Sequence, residues 1–96
     1  MTKENENGYK VLISTLIKCE EKIVGKVAIT IAKEIEGLEI DNKGNVVKVV
    51  NGEEAFDALY QEYKKYGFGL VTAIIKPHIK EVLKKYPNLK IPEELR

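Results

Sequence analysis

The sequence predicts a mainly α-helical protein of the α+β kind: a long N-terminal helix, a short β-hairpin, then two antiparallel helices, the last kinked at Pro77. Three observations predict it. Leu12, Leu16, Cys19, Ile23, Val27, Ile31 and Ile35 recur every three or four residues, the spacing that lines one side of a 3.6-residue helix. Two short runs, Leu38-Glu39-Ile40-Asp41 and Val46-Val47-Lys48-Val49-Val50, flank the loop Asn42-Lys43-Gly44-Asn45. Two further apolar-periodic stretches are punctuated by Gly67, Pro77 and Pro87.

The long helix spans Tyr9 to Glu36. A second row, Ile13, Ile17, Val24 and Ala28, widens its apolar arc to about half the circumference, so it needs at least two neighbours. Gly25 falls on the polar side, where it costs roughly 1 kcal/mol of helix propensity against alanine. Because the apolar phase holds across Gly25, the reading is one continuous helix, with a helix-turn-helix broken there as the alternative. Gly37 is placed to be a left-handed residue after the helix, with Leu38 folding back onto the last turn. Residues 1–8, polar and acidic, are expected to fray as a disordered tail, leaving 9–96 as a single domain with its hairpin at about 38–50.

In that hairpin, a four-residue loop sets Ile40 opposite Val47, Leu38 opposite Val49 and Glu39 opposite Lys48. Val46 and Val50 are then left on the outward face, and both strand edges lack a partner.

Asn51-Gly52-Glu53-Glu54 reads as a helix N-cap with acids in the first turn. The helix it opens runs to about Tyr66 with Phe56, Leu59, Tyr60 and Tyr63 inward, and Gly67 stops it with Phe68 returning onto Tyr63. The last helix runs from about Leu70 to Tyr86, with Val71, Ile74, Ile75, Ile79, Val82, Leu83 and Tyr86 in one phase through Pro77. That continuity implies a kink, and the alternative is a fresh helix beginning at Pro77. After Pro87, the apolar residues Leu89, Ile91 and Leu95 are expected to lie back over the helices.

A chain of 96 residues supports one core and no second. Its single cysteine, Cys19, lies on the apolar stripe and reads as a buried structural thiol in a reducing, cytoplasmic setting. No charge-free apolar run approaches the roughly 20 residues that span a bilayer. The Lys/Glu-rich and Ile/Val-rich composition is similar to that of thermophile proteins, whose surfaces carry ion-pair networks. Sixteen basic and fifteen acidic residues give a net +1, but unevenly: seven lysines and one acid lie between Lys64 and Lys90, after an acidic block of Glu53, Glu54, Asp57 and Glu62.

Little in the chain is suited to chemistry at neutral pH. His78 is the one histidine and has no Cys, His or Asp companion at ligand spacing, so it reads as a partly buried structural residue. Gly67-x-Gly69 before a helix lacks the strand and third glycine of a dinucleotide site and the Gly-Lys-Ser/Thr of a P-loop, and reads as a helix-to-helix turn. Tyr60, Tyr63 and Tyr66 read as core and rim. No catalytic, metal or cofactor-binding residue is assigned, and no enzymatic activity is expected.

The reading that follows is a small non-enzymatic interaction or regulatory domain acting as a homodimer. Its interface residues are Ile23, Val27, Ile31, Val46 and Val50, where apolar surface exceeds what one chain can cover. One alternative is a nucleic-acid-associated protein using Lys64, Lys65, Lys76, Lys80 and Lys84 as a track for phosphates, a reading weakened by the lack of interleaved Arg or Asn to read bases. Another is a small-ligand sensor with an apolar pocket between the long helix and Pro77.

Overall fold

The computed structural model of the chain describes residues 3–67 and 70–96. Among them run α1 (Lys3–Val24), α2 (Val27–Lys33), β1 (Leu38–Ile40), β2 (Val46–Val49), α3 (Gly52–Gly67) and α4 (Leu70–Lys85), then a 3-10 turn at Glu93–Leu95. This is the mainly helical α+β architecture expected, with corrections to its first helix and to its hairpin.

The long helix is broken at Gly25. The residue takes φ +77°, and its amide donates to the Glu21 carbonyl at 2.8 Å, closing α1 before the chain restarts at Val27. A positive φ costs glycine little and other residues more. The turn shifts the helical phase, so that Ala28, Ile29 and Ala32 are buried while Val27 is exposed and Ile31 and Ile35 are half-buried. The other end of the helix is longer than expected. The polar segment before Tyr9 carries the first turns of α1, and Gly8 lies so close to the chain just past α4 that a Cβ there would stand 2.9 Å from the Tyr86 ring. Tertiary packing extends a helix that local propensity alone would not.

α1 is the central element and packs on α3, α4 and β2. Leu12, Ile13, Leu16 and Ile17 are fully buried, as are Phe56, Leu59, Tyr60 and Tyr63 of α3 and Ile75 and Ile79 of α4. Each aliphatic side chain so removed from water stabilises the fold by about 1.5–3 kcal/mol. The Glu54 amide donates to Asn51 Oδ1 at 3.1 Å, the cap the sequence predicts for α3. α4 continues through Pro77 as one helix, so no new helix starts there. The expected return of Phe68 onto Tyr63, the middle of the Gly67-x-Gly69 turn and the side chain of Val71 lie outside the described residues.

The hairpin keeps two of its three expected pairs. Leu38 pairs with Val49 and Glu39 with Lys48, but Ile40 pairs with Val46 across a β-bulge. The cause is the loop. The Asp41 amide donates to the Asn45 carbonyl at 3.0 Å, while the Asp41 carboxylate accepts from the Lys43 and Asn45 amides, both at 2.9 Å. Gly44, at φ +86°, sits against α1, where a Cβ would meet Ile17 Cγ2 at 3.2 Å. That closure shortens the loop by one residue and leaves Val47 as the unpaired extra. Val46 therefore turns inward, donating its amide to Ser14 Oγ at 3.1 Å and packing against the core, and Val47 replaces it outside.

The C-terminal segment does lie back over the helices, with Leu89 and Leu95 buried. Lys64 of α3 anchors it through Glu94 at 3.0 Å.

Candidate interaction surfaces

The lysines proposed as a phosphate track divide into two groups. Lys64 is paired with Glu94 and stands 5.1 Å from the centre of the Tyr60 ring; its hydrogen bond to Glu94 holds its pKa above the usual lysine range. Lys65 is paired with Glu62 at 3.0 Å, and Lys84 with Glu81 at 3.1 Å. Lys80 is exposed and Lys76 half-buried on α4, and neither has an acid within ion-pair distance among the described residues. Three of the five proposed contacts are thus already engaged within the chain, through exposed pairs of the weak kind.

The proposed dimer residues also divide. Ile23 and Val27 are exposed beside the break at Gly25, and Val50 is 69% exposed. Ile31 and Val46 instead pack against the core. Val47, which strict strand alternation would have placed inside, is 56% exposed on β2, ahead of the exposed Val50 that follows the strand. His78 is exposed, not partly buried as expected, because one step past Pro77 carries it away from the inward phase of Ile75 and Ile79. Cys19 is buried as expected, and burial pushes its thiol pKa up, which keeps it un-ionised and unreactive at neutral pH.

Two further features were not read from the sequence. One is a groove of about 640 Å³ between the α2–β1 turn and the first half of α3, with Ile35, Val50 and Ala58 exposing apolar surface and Glu34, Glu36 and Glu54 around them. The other is Glu20, which is fully buried and whose two carboxylate oxygens have no hydrogen-bond partner. Desolvation raises its pKa. It also adds to the forces raising that of Tyr63, where burial is the larger cause; the Tyr63 hydroxyl donates to the Ala28 carbonyl at 2.7 Å and so ties α3 to α2. The signal for Glu20 was present in its spacing, four residues after Leu16 and three after Ile17 on the buried stripe.

Among the described residues, no group of three or more His, Cys, Asp or Glu is placed to hold a metal ion, and no helix is long and apolar enough to cross a membrane. No protein-family model matches the chain, and comparison with curated proteins and with solved structures finds no match.

Proposed function

We propose that the protein is a small interaction or regulatory domain that acts as a homodimer, with the outward face of the hairpin at its interface. The observation that carries this reading is that Val47 of β2 and Val50, one residue past the strand, are both exposed, at a sheet of only two strands among the described residues. Two exposed valines at a short ribbon are better covered than solvated, and a twofold-related copy supplies apolar surface to cover them. Ile23 and Val27, exposed beside the helix break, offer the interface a second apolar contribution. A specific interface of this kind buries upwards of about 1,000 Å² in total.

Light scattering across a range of micromolar concentrations tests the reading. The wild type is expected to reach twice the monomer mass, and Val47→Lys to remain monomeric with its helical circular dichroism intact. A wild type that stays monomeric throughout overturns it, as does a Val47→Lys protein that dimerises as well as the wild type.

A further inference from the structure

We infer that the acidic groove between the α2–β1 turn and α3 receives the lysine-bearing outer face of α4 from a second copy of this chain. The inference rests on the homodimer reading and names the surfaces that meet beyond the hairpin. Its basis is how the charges of a nearly neutral chain are distributed.

Four acids are satisfied internally: Glu6 by Lys10, Glu62 by Lys65, Glu81 by Lys84 and Glu94 by Lys64. The three around the groove, Glu34, Glu36 and Glu54, line it without a lysine or arginine within ion-pair distance among the described residues. They surround an apolar floor in which Val50 is 69% exposed and Ala58 is too small to fill the space above itself. The groove therefore presents apolar surface fringed by uncompensated negative charge.

α4 presents the opposite arrangement. Its inward phase is spent on Ile75, Ile79 and Val82, which leaves Ala73, Ile74 and Pro77 exposed on the outer side, Ile74 at 44%. At 100° per residue, Lys76 and Lys80 flank these apolar residues on one side and neither is neutralised by its own chain, while Glu81, between Pro77 and Ile74 on the same face, is neutralised by Lys84 at 3.1 Å. A convex helix face of apolar residues fringed by free lysines thus matches a concave apolar floor fringed by free glutamates. Such complementarity steers encounter and fixes the register of an association more than it adds raw affinity. Because groove and helix are different surfaces of one chain, the contact occurs twice in the twofold dimer, each copy's groove taking the other's α4.

Charge exchange tests the inference. Two variants are made, one carrying Glu34→Lys, Glu36→Lys and Glu54→Lys, the other Lys76→Glu and Lys80→Glu. Four of the five positions are exposed and Lys76 is half-buried. Each variant alone is expected to self-associate about tenfold or more weakly than the wild type at low salt. An equimolar mixture is expected to recover an assembly containing one of each. A mixture that stays monomeric while the wild type associates overturns the inference, as does undiminished self-association of either variant.

If Val47→Lys dissociates the protein but neither charge variant does, the hairpin interface stands and this inference falls. If a charge variant fails to fold, the wild type itself supplies the test. A mixture of isotopically light and heavy wild-type protein is treated with a zero-length carbodiimide and digested. Mixed-isotope links from Lys76 or Lys80 to Glu34, Glu36 or Glu54 are expected. Recovery of only same-isotope links, such as Lys64–Glu94 and Lys84–Glu81, overturns the inference.

Discussion

The phenol of Tyr9 holds the main chain of Lys90 from both sides, donating to its carbonyl at 2.9 Å and accepting from its amide at 2.8 Å. The two residues are 81 positions apart, so this one side chain fastens the C-terminal segment to α1. Its ring also lies against Gly52, where any Cβ would collide with it, so α3 begins where only a glycine leaves room for the ring. Burial raises the phenol pKa, keeping it a donor well above neutral pH. Tyr9→Phe removes both hydrogen bonds and keeps the ring, and is expected to cost about 1–2 kcal/mol by urea denaturation, with secondary structure unchanged. Gly52→Ala is expected to cost about 1–3 kcal/mol through overpacking, and less in a Tyr9→Ala background, where the ring is gone.

Glu20 makes the fold sensitive to base. Its pKa is raised in the folded state by burial, so the folded protein keeps the proton to a higher pH than the unfolded chain does. Stability is therefore full below the ordinary glutamate range and declines as pH rises through the raised folded-state value. Glu20→Met, which fills the same space without a buried unpartnered carboxylate, is expected to gain on the order of 1–3 kcal/mol at pH 7 and to flatten the decline. Thermal unfolding of both proteins from pH 4 to pH 9 checks this. Parallel curves would show that Glu20 does not carry the dependence.

At Gly25 the backbone conformation and the available space make separate demands. Nothing lies within 4 Å of where a Cβ would stand, yet φ is +77°. Gly25→Ala is therefore expected to destabilise by about 1–2 kcal/mol through backbone conformation alone, and Gly25→Asn by less, since asparagine tolerates the left-handed region. Equal losses in the two variants, measured by urea denaturation, would point to a cause other than φ.

The hairpin loop has the opposite pH response to Glu20. The Asn45 amide, followed by the Lys43 amide and the Asn45 side chain, holds the Asp41 carboxyl below the usual aspartate range. The contribution of Asp41 is thus present above its unfolded pKa and lost as pH falls through the lowered folded value. Asp41→Ala is expected to speed amide exchange at Lys43 and Asn45 and to remove that acid-side loss. Unchanged exchange at both amides would count against the assignment.

The parts of the fold that were legible in the sequence are those set by local spacing. Phe56, Leu59, Tyr60 and Tyr63 occupy one buried face as their periodicity requires, Asn51 caps α3, and Gly37 takes its positive φ. What was not legible depended on contacts distant in sequence. Gly25 sits on the polar side of a continuous apolar pattern, and only the choice of α2 to bury Ala28, Ile29 and Ala32 reveals the break. Likewise, nothing near Val46 and Val47 in sequence announces a bulge that is fixed by Gly44 lying on Ile17. The candidate surfaces follow the same division: the lysines of α3 and α4 could be counted, but the pairing of Lys64 with Glu94, 30 positions away, and the groove that joins Glu34 to Glu54, appear only when the elements are assembled.

The bulge at Val47 also bears on how a two-stranded ribbon avoids endless lateral growth. An incoming strand of a fibril needs a straight edge with regularly spaced donors and acceptors. Here the strand bends at Val47, and the Val46 amide is already spent on Ser14. Lys48, exposed between Val47 and Val49, would stack against its own charge in any in-register fibre. The hairpin can thus offer its apolar face to a partner while its edge stays a poor template for cross-β polymerisation.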